Sequence, residues 1–442
     1  MIQLSDHFTT KRLLRFAFPS IVMMVFTSIY GVVDGFFVSN FAGKASFTAV
    51  NFVMPVIMIL GSFGFMFGTG GSALISKTLG EGDRKRANSL FSMVVAVSAA
   101  FGAAIAVVGF LTIRPIMVWL GAEGALLENC VLYARCVIPA IPLLFLQYEF
   151  QALFVTAEKP KLGLYITVAA GVANMALDGL FVGALRWGIA GAAVATSLSQ
   201  LIGGLLPVGY FCRENSSTLR LSRPSWNGRA LARVCANGSS EVMSNISMSL
   251  ISMLYNIQLL RYTGQNGIAA YGVLMYVNMI FLAVFIGYSV GTAPVIGYHY
   301  GAQNHAELKG ILRKSLAVIF GFSVGMLACA LLLAKPLTSL FVGYDEELMR
   351  ITLHAFSIYS FGFLFSGFAI YGSAFFTALN DGLTSAVISF MRTLVFETAA
   401  ILILPRIWGI DGIWLSTVAA EVMAVILTAA FLIGKRKKYH YW

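Results

Sequence analysis

The chain has 442 residues, 58% of them hydrophobic and only 11% charged, with a mean hydropathy of +0.82. A soluble domain carries about a quarter charged residues to dress its surface, so a soluble fold is excluded. The net charge of +11 raises nucleic acid as a partner, but the placement of that charge along the chain argues against it.

Unbroken apolar runs of roughly 20 residues suit helices crossing a hydrocarbon core about 30 Å thick, rather than the short alternating strands of a barrel. Twelve spans are predicted, at 16–38, 50–75, 88–111, 129–153, 162–183, 190–211, 236–258, 269–295, 311–333, 353–377, 382–404 and 410–433. The stretch from Met1 to Phe18 is polar and basic with no cleavage pattern after it, and reads as a mature terminus. An even number of spans puts both termini on one side. Lys and Arg in the loops number 21 on that side and seven on the other (Lys44, Arg114, Arg186, Arg261, Lys335, Arg350, Arg406). The positive-inside rule therefore predicts cytoplasmic termini, and this loop charge accounts for the basic balance without nucleic acid. The five cysteines form no CxxC pair and mostly lie in apolar runs, so neither a metal centre nor a disulfide framework is indicated.

The chain repeats itself at a shift of 221 residues. Gly80 falls on Gly301, Pro115 on Pro336, Thr156-Ala157 on Thr377-Ala378, and WGIAG at Trp187 on WGIDG at Trp408. Four matches at one ungapped offset predict two homologous halves. Because each half has six spans, they insert in the same orientation, as parallel repeats about an axis along the membrane normal. The fold class expected is an all-α polytopic membrane protein, with two six-helix bundles around a central cleft. The predicted units are an N-terminal lobe over 1–212, a cytoplasmic linker over 213–235, a C-terminal lobe over 236–434 and a basic tail over 435–442. A duplicated single chain of this kind suits a secondary transporter, with a midplane site opened to each side in turn and a monomer sufficient. No GxxxxGK[ST] loop occurs, so ATP is not directly the driver; GTGG at Gly68–Gly71 lies inside a span.

An ionisable group at the bilayer centre costs about 2.5–3.5 kcal/mol on insertion scales, so each needs a reason. In the first half, Asp34 lies deep in span one with Tyr30 on the same face, and Pro19 earlier in that span offers a kink point. Asn174 and Asp178 share a face of span five, and Thr196 adds a hydroxyl from span six. These oxygens suit a proton, a sodium ion or a cationic substrate, and the plain alternative is polar glue between helices. The second half offers Glu241 in span seven, Arg392 and Glu397 in span eleven, and Glu421 in span twelve. They make a candidate second cation or substrate site, with Arg392 neutralising Glu397 or Glu421 as the structural alternative. Glu149 and Gln151 close span four near the cytoplasm, where snorkelling makes charge cheap. The histidines form no HExxH, and no nucleophile–base pair can be assembled, so an intramembrane enzyme is the remote alternative. No cofactor is called for beyond a coupling ion.

These residues resemble those of the multidrug and toxic compound extrusion (MATE) transporters over essentially the whole chain. The resemblance rests on FAFPSIVMM at Phe16–Met24 leading to Asp34, GEGDRKRAN at Gly80–Asn88, NMALDG at Asn174–Gly179 and AGAAVATSLSQ at Ala190–Gln200. Within the family the chain looks most like the DinF-type branch, whose N-terminal lobe carries a span-one aspartate and an Asn-x-x-x-Asp in span five. The compact twelve-span form suits a prokaryotic inner (plasma) membrane, and the resemblance implies an antiporter that exports organic cations or drugs against H⁺ or Na⁺. It places the coupling site at Tyr30, Asp34, Asn174, Asp178 and Thr196, with Na⁺ at the last four if sodium is the ion, and a hinge at Pro19. Glu241 matches instead the span-seven glutamate of the NorM-type branch, which leaves the ion open. Related members of the superfamily flip lipid-linked precursors, so export of an amphiphilic precursor is the runner-up.

Overall fold

The computed structural model describes residues 2–343 and 345–442, so Met1, with which the expected N-terminal lobe begins, lies outside them. Among the described residues twelve long helices run antiparallel in chain order. They are α1 (Thr10–Ala42), α2 (Ala45–Gly80), α3 (Arg84–Trp119), α4 (Gly124–Thr156), α5 (Pro160–Ala184) and α6 (Gly188–Cys212), then α7 (Gly228–Thr263), α8 (Gln265–Gly301), α9 (His305–Ser339), α10 (Glu346–Ala378), α11 (Gly382–Trp408) and α12 (Ile410–Tyr439). All but α7 are long and apolar enough to cross a membrane. The exception holds the run NGSSEVMSNISMSLIS from Asn237, two of whose hydroxyls turn back on their own helix; Ser239 Oγ donates to Ala236 O at 2.8 Å and Ser249 Oγ to Asn245 O at 3.2 Å. Self-satisfied hydroxyls make a polar helix tolerable among apolar ones.

The helices outrun the predicted spans. The seventh begins at Gly228, inside the expected linker, because Asn227 caps it by accepting the Ala230 N–H at 3.1 Å. The last continues to Tyr439, inside the expected tail, where Tyr439 and Tyr441 are buried. What remains of the linker lies on α3, with the Arg220 N–H donating to Asn88 Oδ1 at 3.0 Å and the Ser222 N–H to Ser92 Oγ at 2.7 Å.

The 221-residue repeat is visible in the backbone. Asp83 and Asn304, which that shift superposes, each cap the following helix, and Gly188 and Gly409 each take φ +59° before α6 and α12. Such left-handed backbone is open to glycine at little cost, which explains the shared WGI.

Contacts between the halves obey the same shift. A methyl group added to Gly80 would stand 2.0 Å from Tyr298 O, and one on Gly301 would stand 2.0 Å from Lys77 O, its mate under the repeat. Likewise Gly70 of α2 meets Val234 and Gly238 of α7, while Gly291 of α8 meets Ala17 of α1. Each pair maps onto the other under an exchange of halves, as a two-fold axis along the bundle requires. These approaches are backbone on backbone, at the end of the bundle that carries both chain termini. We call it the terminal face, and the opposite end the far face.

Apolar packing shows the same asymmetry. At the terminal face one core runs through both halves, joining Phe16, Leu74, Ile75 and Phe154 to Tyr288, Val295, Phe375 and Phe376. Toward the far face there are two separate cores, one around Val50, Val53, Tyr133 and Val182, the other around Tyr255, Leu259, Tyr271 and Trp414. The lobes are thus joined at one end and parted at the other, enclosing a cleft. A strap before α1 crosses the joined end. The Leu4 N–H donates to Glu158 Oε1 at 2.7 Å, the Phe8 N–H to Glu307 Oε1 at 2.8 Å, and Lys314 Nζ to Phe8 O.

Candidate functional site

Each polar group in the parted half is placed by a helix of known register. Asp34 sits in the last third of α1, is 7% exposed, and lies just before the chain loosens into a π-helical turn over Val38–Ala42. Asp178 ends the regular part of α5, is fully buried, and is followed by a second π turn, Gly179–Ala184. Wide turns of this kind free backbone carbonyls and re-aim side chains, and they occur frequently at functional sites.

The two helices bring the carboxyl groups of Asp34 and Asp178 within hydrogen-bonding reach of one another. Among the described residues, Asp34 Oδ1 and both Asp178 oxygens meet no donor. Two carboxylates are acceptors only, so a hydrogen bond between them needs a proton. The arrangement is a proton-sharing pair, or a pair of ligands waiting for a cation. Asn174 is buried one turn before Asp178, with its Nδ2 unpartnered.

The other expected members lie around this pair. Tyr30 stands beside Asp34, with its ring packed where Gly171 of α5 leaves room and 6.1 Å from the Phe26 ring. The Thr196 hydroxyl donates to Ala192 O at 3.0 Å, so it offers the site only its lone pairs. Pro19 lies within an α1 that stays helical from Thr10 to Phe37. The structure adds Tyr133 of α4, 2% exposed, which lies close to Asp34 and Asp178 and within reach of Thr196. No periodicity within α4 marks this tyrosine, since its role comes from a contact between distant helices.

The second half holds a related arrangement. Glu397 Oε1 accepts from Tyr255 OH at 2.9 Å and from Thr417 Oγ1 at 2.8 Å, and these two hydroxyls are 2.8 Å apart. Tyr271 stacks on Tyr255 with ring centroids 4.9 Å apart and planes 6° from parallel. Arg392, given the choice of two glutamates, pairs with Glu421, through Nη2–Oε1 at 2.6 Å and Nε–Oε2 at 2.9 Å. Glu397 has hydroxyl donors in its place. Tyr255 and Thr417 are the repeat mates of Asp34 and Thr196, so the shift that finds the halves also points to them. Arg392 lies in a third π turn, Met391–Phe396, directly before Glu397.

Glu241 is not part of this group. It is half-buried on α7, one turn beyond Gly238 where the lobes touch, and makes no ion pair among the described residues. Glu149 departs from its expected place. Rather than snorkelling to water it is fully buried, because α4 runs on to Thr156 and this face turns inward onto α2 and α3.

The MatE family profile matches residues 19–180 and 242–401, one stretch in each half. The multidrug export protein MepA of Staphylococcus haemolyticus is 23% identical over 440 residues, covering 97% of this chain and 94% of its own. An outward-facing multidrug resistance MATE family transporter of the MOP superfamily superposes with a TM-score of 0.92 at 22% identity, covering 98% of this chain and 96% of its own. A MOP superfamily transporter from Pyrococcus furiosus, described as having a binding pocket of reversed polarity, superposes with a TM-score of 0.91 over the same shares at 22% identity. The fold is common to this chain and both of those structures. Members of the matched family are multi-pass membrane transporters rather than enzymes, and with its profile covering most of both lobes, this chain belongs to the MatE family.

Proposed function

We propose that this transporter is a secondary antiporter exporting organic cations and drugs, with the proton as the coupling ion and an N-lobe site as in the DinF-type branch. The observation that carries this reading is the facing pair Asp34–Asp178, buried without donors in the parted half of the molecule. A proton or a bound cation satisfies the pair, and competition between the two for the same carboxylates couples the fluxes. Tyr30, Asn174, Thr196 and Tyr133 shape the space, and Pro19 gives α1 a place to bend. Sodium, the alternative ion, would take Asp34, Asn174, Asp178 and Thr196 as ligands. Glu397 with its hydroxyls and Arg392–Glu421 serve as a secondary cation or substrate surface in the C-lobe, while Glu241, apart from them on α7, is a separate candidate for the cation.

In this reading lobes 1–212 and 236–434, joined through 213–235, rock about the glycine contacts, so that the cleft opens alternately to the far face and the terminal face. A ligand moves this equilibrium only through its different affinity for the two states. The excess of loop Lys and Arg supports a cytoplasmic terminal face and tail, 435–442, and the staphylococcal relatives support a bacterial plasma membrane, where a single two-lobed chain suffices as a monomer. The relatives named as multidrug exporters support the choice of cargo.

Everted vesicles carrying the protein and a fluorescent cationic dye test this directly, with proton and sodium gradients imposed separately. Dye movement under the proton gradient alone is expected. Movement under sodium alone transfers the role to the sodium ligands and Glu241. No movement under either, with folded protein, overturns the cation reading in favour of an amphiphilic, lipid-linked precursor.

A further inference from the structure

We propose that Glu149 is a second proton-binding site of the N-lobe, placed to report its protonation to the contact that seals the terminal face. It rests on the proton-coupled reading above but uses a different residue, in the same lobe and nearer the terminal face. Glu149 is 0% exposed, and neither carboxylate oxygen has a hydrogen-bond partner among the described residues. The Ser98 hydroxyl of α3, itself buried and unpartnered, lies within reach.

The elements around Glu149 bring it no charge. α2 meets this stretch of α4 through Gly64 and Gly68; a methyl group added to Gly68 would stand 2.9 Å from Glu149 Cα. From α3 comes Ser98. Tyr148, the neighbouring titratable group, is stacked on Phe65 with centroids 4.2 Å apart. One hydroxyl and a carboxyl do not make a coordination shell for a metal cation, whereas they complete a neutral acid, whose O–H donates to Ser98.

Position gives this proton a consequence. The same segment of α2 that lies on Glu149 touches the other lobe on its opposite side. A methyl on Gly70 would stand 2.0 Å from Val234 O, and one on Gly238 2.0 Å from Met66 O. α2 is therefore clamped between Glu149 and the C-lobe. With its proton, Glu149 is compatible with the dry, close α2–α4 packing of the sealed state. Once the O–H bond breaks and the proton passes to water, the ionised carboxylate needs donors that this packing does not supply. Either water enters between α2, α3 and α4 or α2 moves, and both disturb the seam. The sealed terminal face is thus the protonated state, and loss of the proton favours its opening.

The test is the distance between spin labels at Arg86→Cys and Arg313→Cys, both on exposed positions, with the exposed Cys212 and Cys329 replaced by serine. In lipid nanodiscs the wild-type distance is expected to lengthen as pH rises. Glu149→Gln, which mimics the neutral acid, should stay short at every pH, while Asp34→Asn keeps a pH-dependent change. A protonated-carboxyl infrared band that titrates over the same range should vanish in Glu149→Gln. If Glu149→Gln follows the wild-type profile, the inference is overturned. Should that variant fail to fold, Ser98→Ala must move the midpoint, and an unmoved midpoint overturns the inference equally. Wild type that opens with pH but drives no dye would sink the antiport reading and leave this one standing.

Discussion

At the scale of single residues, the buried polar groups divide by what satisfies them. Arg392 and Glu421 satisfy each other through a forked, mostly buried pair. Breaking such a pair strands a charge and costs about 3–5 kcal/mol, so Arg392→Gln should lower the yield of folded protein, measured by fluorescence-detected size exclusion. Asp34 and Asp178 do not satisfy each other without a proton or cation. Asp34→Asn is therefore expected to insert and fold as wild type but to lose ion-coupled dye export, with Asp178→Asn alike. Normal drug resistance from folded Asp34→Asn would refute its role. Asp381, in the turn between α10 and α11, is tied by Lys435 Nζ at 2.6 Å, Tyr439 OH at 2.8 Å and the Thr384 N–H at 3.3 Å. Burial works against its charge, yet these donors win and hold its carboxyl below the ordinary value. Its stabilisation is thus present above the usual carboxylate range and is lost as pH falls through the lowered value. Tyr439→Phe should cost about 1.5–3 kcal/mol at neutral pH, a loss that shrinks in acid, read as a melting temperature against pH.

At the scale of elements, the helix count, the repeat and the four oxygen-bearing positions Asp34, Asn174, Asp178 and Thr196 were legible in the sequence, since hydropathy and helical spacing carry them. What was not legible depends on which way a long helix faces in its bundle. Glu149 lies where a snorkelling charge would lie if α4 faced water, and only its packing on Gly68 reveals that it does not. Tyr133 is another case, a residue whose partners are on helices far away in sequence. The π turns were invisible too. Glu397 directly follows its wide turn while Asp178 directly precedes its own, and the two acids are out of step by two residues under the 221 shift. A search for charged repeat mates alone passes over Tyr255 and Thr417, because there the second half uses hydroxyls. Gly301→Ala tests the seam at this scale. Its added methyl meets Lys77 O at 2.0 Å, so overpacking of about 1–3 kcal/mol is expected in the sealed state. The population should shift toward an open terminal face, seen as greater labelling of cysteines introduced beside the seam, while a variant with unchanged labelling would show that the seam yields without opening.

At the scale of the whole molecule, two lobes related by a two-fold axis share one core at one end and keep separate cores at the other. Within the shared core the two halves also meet directly through backbone at Gly70, Gly80, Gly238, Gly291 and Gly301. A seam of that kind has a thermodynamic signature of its own. Glycine has no side-chain rotamers, so its contacts freeze none when the lobes meet and release none when they part. An interface built of lysine, methionine or glutamine would lose conformational freedom at each closure and recover it at each opening. That would bias the molecule toward the open state increasingly as temperature rose. Here the resting preference between the two states is left more nearly to dispersion, hydration and whatever occupies the carboxylates, which lets a single proton weigh heavily in a protein of 442 residues.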